Sequence, residues 1–497
     1  MTVFRAARPL DWRQVAAVAA GEPLALADDA RARVVAAREL VDEIVARGIR
    51  AYGVNTGVGA LCDVIVSPAQ QSTLSRNILM SHAVGVGMPL GAAETRAIIA
   101  AAINNYAHGH SGVRADVVDQ LVALLEHDCL PEVPAHGSVG YLTHMAHVAL
   151  VCIGHGHARH RGERIGGAEA LRRIGREPLV LGAKEGLSLV NGTPCVTGLA
   201  ALALARAQRL LDWADWIAAT SFENLGGQLA AFDPASLALR ISPGIAHVGA
   251  RLRTMLADSP MLAAANGRRT QDPLSLRTIP HVHGAARDVF AATAEVVDRE
   301  LASVTDNPIV AGTRDAPAVH SQAHAVGAGI ALAMDSLAAA MAQVAAIAER
   351  RLDRLVNPLV SGLPAFLAAP GGTCSGFMIA QYTAVALVAQ NQRLAAPASL
   401  DGGITSGLQE DHLCHATPAA LKALDIIENA TRVLAIELLA AAQAYDLQEH
   451  GAAPAPSTEA LWRHVRESVP AYHDDRPLAD DIAIATGIVA GEPPSLR

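Results

Sequence analysis

Five apolar segments dominate the second half of the chain: Leu199–Ala218, Ala285–Ala302, Ala328–Leu355, Gly376–Leu394 and Pro418–Leu447. They repeat at helical period and are apolar nearly all round. A helix of this kind has no solvent face, so it must be covered on every side, as the centre of an oligomeric bundle would cover it. Alanine supplies much of each segment; it has the best helix propensity and lets backbones approach closely. The chain has 497 residues, 51% of them hydrophobic, 18% charged and only 3% aromatic. The expectation is an all-α fold of long, closely packed helices, too large for one core.

Glycine and proline punctuate the first half, where "GVNTGVGAL" and "GVGMPLG" read as loops between short helices. Strand signals are weak, and "RIGREPLVLG" reads as a small hairpin-like excursion. After Gly451 a Pro/Ala stretch leads into two short helical patterns. Three regions are expected: a mostly helical N-terminal region over 1–196, a central long-helix bundle over 197–450, and a C-terminal helical cap over 451–497.

The formal charge of −9 leaves no basic footprint, so nucleic acid is not an expected partner. The longest apolar run is interrupted by Asp335 and ends in charges, which suits a buried bundle helix better than a membrane span. The opening "MTVFRAARPLDWRQ" lacks the apolar core of a secretory signal. The six cysteines are widely spread without paired spacing, which reads as reduced thiols in a cytoplasmic protein. Histidine is abundant: His144 and His147 share a helical face, "GHGHARH" holds His155, His157 and His160, and "HVHG" holds His281 and His283. No acidic partner stands at fixed spacing and no HExxH pattern occurs, so no metal site is expected.

Several polar stretches interrupt or flank the apolar ones. Tyr52 sits among glycines whose backbone can approach a ligand, or which simply form a turn. Ser81 and His82 fall at a helix end. Asn191 precedes a long helix, where an amide is either a cap or a binding group. Gln271, Asp272 and Arg277 lie together; the guanidinium suits a carboxylate ligand or an ion pair with Asp272. Gln409, Glu410, Asp411 and His412 read either as a solvated helix start or as an acid–base group.

Taken in order, "YGVNTGVG", "NILMSHAVGVG", "KEGLSLVNGTP", "QDPLSLR", "SVTDNPIV", "SGLPAFLAAPGGTCSGFMIAQYTA" and "PASLDGGITSGLQEDH" resemble the histidine and aromatic amino acid ammonia-lyase family over nearly the whole chain. The resemblance implies a long central helical bundle of the ammonia-lyase/fumarase-like type. It also implies a homotetramer with active sites assembled from more than one subunit, and elimination of ammonia from an amino acid, histidine first. An amine leaves poorly and a β-hydrogen is barely acidic; the family meets this with an electrophile, methylidene-imidazolone, formed from an internal Ala-Ser-Gly. Carried over by motif, Tyr52 matches the catalytic base and Arg277 the carboxylate-binding group. Asn191 and Gln271 match polar groups around electrophile and substrate. His82 matches the side-chain selectivity position, and Glu410 a residue that handles the amine or imidazole.

The departures cluster where the family builds its electrophile. Family members read "GSVGASGDLAPLAHMAL"; this chain reads "GSVGYLTHMAHVAL", three residues shorter. The altered loop comprises Gly137, Ser138, Val139, Gly140, Tyr141 and His144, with Tyr141 at the family's aspartate and His144 at its proline. Leu274 replaces a tyrosine and Ala325 an aromatic of the family pattern, which enlarges the expected substrate pocket. The chain as it reads carries no cofactor; methylidene-imidazolone is expected only if an Ala-Ser-Gly, fused on maturation, has dropped out of the written sequence. The retained residues then imply one of three things: a histidine-type lyase, an electrophile-independent lyase or isomerase on a carboxylate substrate with His136, His144 or His324 as acid, or a non-catalytic binding protein on the lyase scaffold.

Overall fold

The helices Pro194–Asn224, Ile279–Leu301, Ala328–Val356, Met378–Leu394 and Ala416–Asp446 occupy the five apolar segments. The computed structural model describes residues 4–5, 8–369, 371–448 and 451–495. The expected boundary at 450, like the first residues of the chain, lies outside the described residues. The architecture is mostly helical, as the alanine-rich periodicity predicts. The segments Glu185–Asn224 and Ala328–Val356 are long and apolar enough to cross a membrane by length and composition. The apolar window of the first is 100% buried in the protein and that of the second 61% buried.

Local chemistry sets where many helices begin. Those starting at Pro234, Pro243, Pro260 and Pro358 place proline at the first helical position, where a missing N–H costs nothing. In each, the preceding Asp233, Ser242, Ser259 or Asn357 caps a free backbone N–H with its side chain. The helix Asp28–Ala46 buries Ala30, Val34, Ala37, Val41 and Ile44, a stripe at alternating spacings of four and three, and carries Asp28 and Asp29 at its positive end.

The chain forms two compact units, each assembled from separated stretches. Residues 1–205, 293–335 and 397–421 make the first; residues 206–292, 336–396 and 422–497 make the second. This division differs from three consecutive regions because four helices, Pro194–Asn224, Ile279–Leu301, Ala328–Val356 and Ala416–Asp446, each contribute residues to both units. The two short helices expected near the C-terminus are Pro456–Ser468 and Leu478–Ala490.

Strands are few and short. The "RIGREPLVLG" stretch is not a hairpin: Arg173 closes the helix Gly167–Arg173, and the residues that follow form no strand. Pro178, which has no N–H to give a ladder, sits in its middle. The hairpin lies just upstream, His157–His160 against Glu163–Gly166, with Cys129–Pro131 as third strand. Part of "GVGMPLG", expected as loop, is the strand Val86–Pro89, antiparallel to Pro134–His136. That pairing anchors the chain entering the altered loop at Gly137.

Candidate active site

The turn carrying Tyr52 is fixed from below and within. Val41, Ile44, Ala51, Val54, Ala183 and Val310 form a buried apolar cluster that holds both flanks of Tyr52. Asn55 closes the turn, accepting from the Ala51 N–H at 2.9 Å and donating to the Ile49 carbonyl at 2.8 Å. The Gly53 N–H donates to Thr56 Oγ1 at 3.1 Å. Further along, the Gly59 N–H donates to the Tyr52 hydroxyl oxygen at 3.3 Å. Gly59 has φ +56°, and a Cβ there would stand 2.2 Å from Ser406 Oγ, so the glycine lets two loops close on each other.

Ser406 belongs to the loop that carries Glu410. Thr405 donates through its N–H to the Glu410 carbonyl at 2.9 Å and through Oγ1 to Glu410 Oε2 at 2.7 Å. The carboxylate is thus tethered at one oxygen, leaving the other free. Asn191 follows the short helix Glu185–Val190 and is buried. Its Nδ2 donates to the Asn307 carbonyl and its Oδ1 accepts from the Gly192 N–H, at 3.0 Å in the second case. Behind it Lys184 and Asp306, both fully buried, pair at 3.1 Å.

These loops enclose a cavity of about 950 Å³ lined by Tyr52, His82, Tyr141, Asn191, Ala325 and Glu410 together with Arg50, Asp63, Asn307, Gln322, Ser406, Asp411 and His412. His82, at the end of the helix Gln71–His82, accepts from or donates to Ser81 Oγ at 3.0 Å through Nδ1. Burial lowers its basicity, against the pull of the Glu410 charge. Burial raises the Tyr52 phenol above its ordinary 10.0; the Gly59 N–H opposes the shift, and the charge of Glu410 adds to it. Tyr141 moves upward by more, through burial first and then Glu410. Both phenols therefore stay protonated near neutrality, and both sense the same carboxylate.

Gln271, Leu274 and Arg277 do not line this cavity. They stand in the second unit, on the turn that ends in the short helix Leu274–Arg277. Gln271 is exposed and Leu274 is 61% exposed. The alternative ion pair of Arg277 with Asp272 is not formed: Asp272 takes Arg269 at 2.9 Å and the Gln228 N–H instead. His136, His144 and His324 also lie outside the lining. His144 is buried, bonded through Nε2 to the Ala135 carbonyl at 3.0 Å, with Nδ1 unpartnered. Among the described residues no group of three or more His, Cys, Asp or Glu is arranged to hold a metal. The sequence reading passed over Arg50, Asn307 and Gln322. Only Asn307 carried a signal, the Asn-Pro of "SVTDNPIV".

The altered loop does not fit methylidene-imidazolone. The one serine available is Ser138, flanked by Gly137 and Val139 rather than alanine and glycine. Its Oγ donates to the Tyr141 carbonyl at 3.0 Å and accepts from the Gly140 N–H at 3.1 Å. The Gly137 carbonyl, which ring closure would consume, accepts from Thr143 Oγ1 at 3.1 Å. The Leu142 N–H donates to the Val190 carbonyl at 3.1 Å, and Thr417 Oγ1 to the Gly140 carbonyl at 3.2 Å. The loop is thus closed by hydrogen bonds within it and tied to Val190 and Thr417, with Tyr141 among the residues lining the cavity.

The family model described as aromatic amino acid lyase matches residues 10–467. A histidine ammonia-lyase of Symbiobacterium thermophilum is 45% identical over 484 residues, 96% of this chain and 95% of that protein. The crystal structure of a histidine ammonia-lyase from Trypanosoma cruzi superposes with a TM-score of 0.90 at 35% identity, covering 98% of this chain and 93% of that one. The ergothioneine-degrading ergothionase of Treponema denticola superposes with a TM-score of 0.91 at 27% identity, covering 98% of each chain.

Proposed function

We infer the reaction from kinship: the chain belongs to the aromatic amino acid lyase family and is a histidine ammonia-lyase-like carbon–nitrogen lyase. We propose that it removes an amine and a β-hydrogen from histidine or a closely related amino acid derivative, leaving an arylacrylate. The observation that carries this is the convergence of Tyr52, His82, Asn191 and Glu410 on one cavity.

In this reading Tyr52 takes the β-proton as phenolate. The Gly59 N–H, donating to its oxygen, stabilises that anion and fixes its position. His82 faces the substrate ring, and Asn191 and Glu410 hold polar groups of the substrate. Ala325, buried where the family has an aromatic, leaves room for the substrate's side chain. Arg277 makes no side-chain hydrogen bond or ion pair within the described residues, so its guanidinium is free for a carboxylate. We assign the chain to a homotetramer in which Arg277, Gln271 and Leu274 of the partner subunit complete the cavity. No step runs through the family's electrophile, because the loop residues do not fit it. The expelled amine must therefore leave without covalent help.

The test is production of urocanate from L-histidine or an Nα-substituted histidine, followed by its ultraviolet absorbance. Turnover that vanishes in Tyr52→Phe supports the reading. No urocanate from either substrate, at enzyme concentrations where the assembly is intact, overturns it.

A further inference from the structure

A second, much smaller cavity lies in the first unit, at Thr193, two residues after Asn191. It measures about 10 Å³, and its polar lining includes Asn105, Thr193, Thr197, Glu300 and Thr305. Most of these groups are already bonded to one another. Thr305 donates to Asn105 Oδ1 through both its N–H and its Oγ1, each at 3.1 Å. The Thr193 N–H donates to Thr305 Oγ1 at 3.2 Å, and Thr193 Oγ1 donates to Glu300 Oε1 at 2.6 Å. Thr197 Oγ1 donates to the Thr193 carbonyl at 2.8 Å.

One donor and one acceptor remain. Asn105 Nδ2 is buried without a partner, and Glu300 Oε2 has none among the described residues. Turning the amide round brings no relief, because two donors hold its Oδ1. Asn105 is 4% exposed, so an unpaired Nδ2 would bear its whole desolvation cost. Burial also raises the Glu300 carboxyl above its ordinary value, against the Thr193 bond, and a further donor on that carboxylate would offset the burial.

We propose that this cavity binds one ordered water, which accepts from Asn105 Nδ2 and donates to Glu300 Oε2. A single water needs about 10–15 Å³ and two to four polar partners, and the site offers that much room and no more. A cation is the wrong occupant, since it would face the hydrogens of Nδ2. The water closes a ring through Asn105, Thr305, Thr193 and Glu300. Asn191 stands two residues before Thr193 and Asn307 two after Thr305, and Asn191 Nδ2 donates to the Asn307 carbonyl. Between them, a Cβ on Gly192 would stand 3.1 Å from the Thr305 carbonyl oxygen, so the two segments are in contact along their length. Asn105 and Glu300 do not line the large cavity. They are positioning residues, which act on Asn191 through the segments 191–193 and 305–307.

A crystal structure of the assembled wild-type protein, at a resolution that shows ordered water, tests the site. One density peak is expected at about 2.7–3.2 Å from both Asn105 Nδ2 and Glu300 Oε2. No peak, or a direct bond between those two atoms, overturns the proposal. So does an anomalous signal at the site in crystals grown with rubidium, which marks a cation. Ala101 also lines the cavity, so Ala101→Val fills it, whereas Ala101→Ser brings a hydroxyl that can stand in for the water. The positioning role rests on the elimination reading above. For whichever histidine substrate yields urocanate, Ala101→Val should raise KM about tenfold and leave kcat within about twofold, the mark of one weakened binding contact. Ala101→Ser should restore most of the loss. An unchanged KM in Ala101→Val overturns the positioning role. If the wild type yields no urocanate, the elimination reading fails, while the density still decides the water. The Asn191–Asn307 bond, compared between wild-type and Ala101→Val crystals, then decides the positioning: lengthened supports it, unchanged overturns it.

Discussion

The backbone N–H of Gly59 donates to the hydroxyl oxygen of Tyr52 at 3.3 Å, and seven residues of chain are folded back to make that bond. The bond favours the phenolate, while burial and the Glu410 carboxylate disfavour it. The net shift is upward, so the base is scarce at neutral pH and strong when present. Below the shifted value kcat/KM should rise about tenfold per pH unit, from about pH 7 to about pH 9. Tyr52→Phe should remove this alkaline limb together with turnover. A flat profile over that range would remove Tyr52 from the base role.

Glu410 raises both Tyr52 and Tyr141 by its charge. Glu410→Gln takes that charge away, so the phenolate forms more readily and the alkaline limb should move to lower pH. The position of the limb, not the height of the rate, is the quantity to read. A limb that moves upward or stays put would mean that Glu410 does not act on the base.

Gly59→Ala introduces a side chain at φ +56° whose Cβ would lie 2.2 Å from Ser406 Oγ. The backbone strain alone costs about 1–2 kcal/mol. Ser406 can rotate away, so the chain should still fold, with a lower melting temperature and a larger loss in kcat/KM than in stability. Thermal melts and kinetics on the same preparation check this.

Lys184 and Asp306 are both fully buried and pair at 3.1 Å, with Ser111 and Ser188 completing the ammonium's bonds. Lys184→Met leaves Asp306 unpaired beside Asn307, and should cost about 3–5 kcal/mol in chemical denaturation. Because Asn191 bonds to the Asn307 carbonyl, the same variant should weaken substrate binding.

The intact mass of the purified chain should equal that of its 497 residues, with no added dehydrated Ala-Ser-Gly and no loss of two waters. Activity should survive cyanide. A protein heavier by a dehydrated Ala-Ser-Gly or lighter by two waters, or one silenced by cyanide, would show that an electrophile is present after all.

The long helices were legible because alanine-rich segments at helical period leave few alternatives. All five appear, with ends displaced by up to six residues. The small sheets were not legible. Val86–Pro89 is a strand only because Pro134–His136 lies beside it, a pairing no local pattern announces. In the candidate site, Tyr52, His82, Asn191, Ala325 and Glu410 come together as their motifs imply. Gln271, Leu274 and Arg277 carry equally clear motifs yet stand outside that cavity, in the second unit, because a motif marks residue types and not where the chain places them. The ambiguity over Arg277 was settled by Arg269, which takes the carboxylate that sequence proximity had offered it.

Four helices contribute to both compact units, and this limits how the protein can be taken apart or reshaped. A gene fragment ending after residue 205, 292, 335 or 421 would sever a helix and expose apolar surface on both pieces; of the unit boundaries among the described residues, the one after 396 alone falls between helices. Neither unit can be traded between relatives as a cassette, and a split reporter or circular permutant has to be opened in the connecting loops. Variation is thereby steered to the short segments between helices. The altered loop after Gly137 is one of these, a place where chemistry can be rewritten while the scaffold is inherited whole.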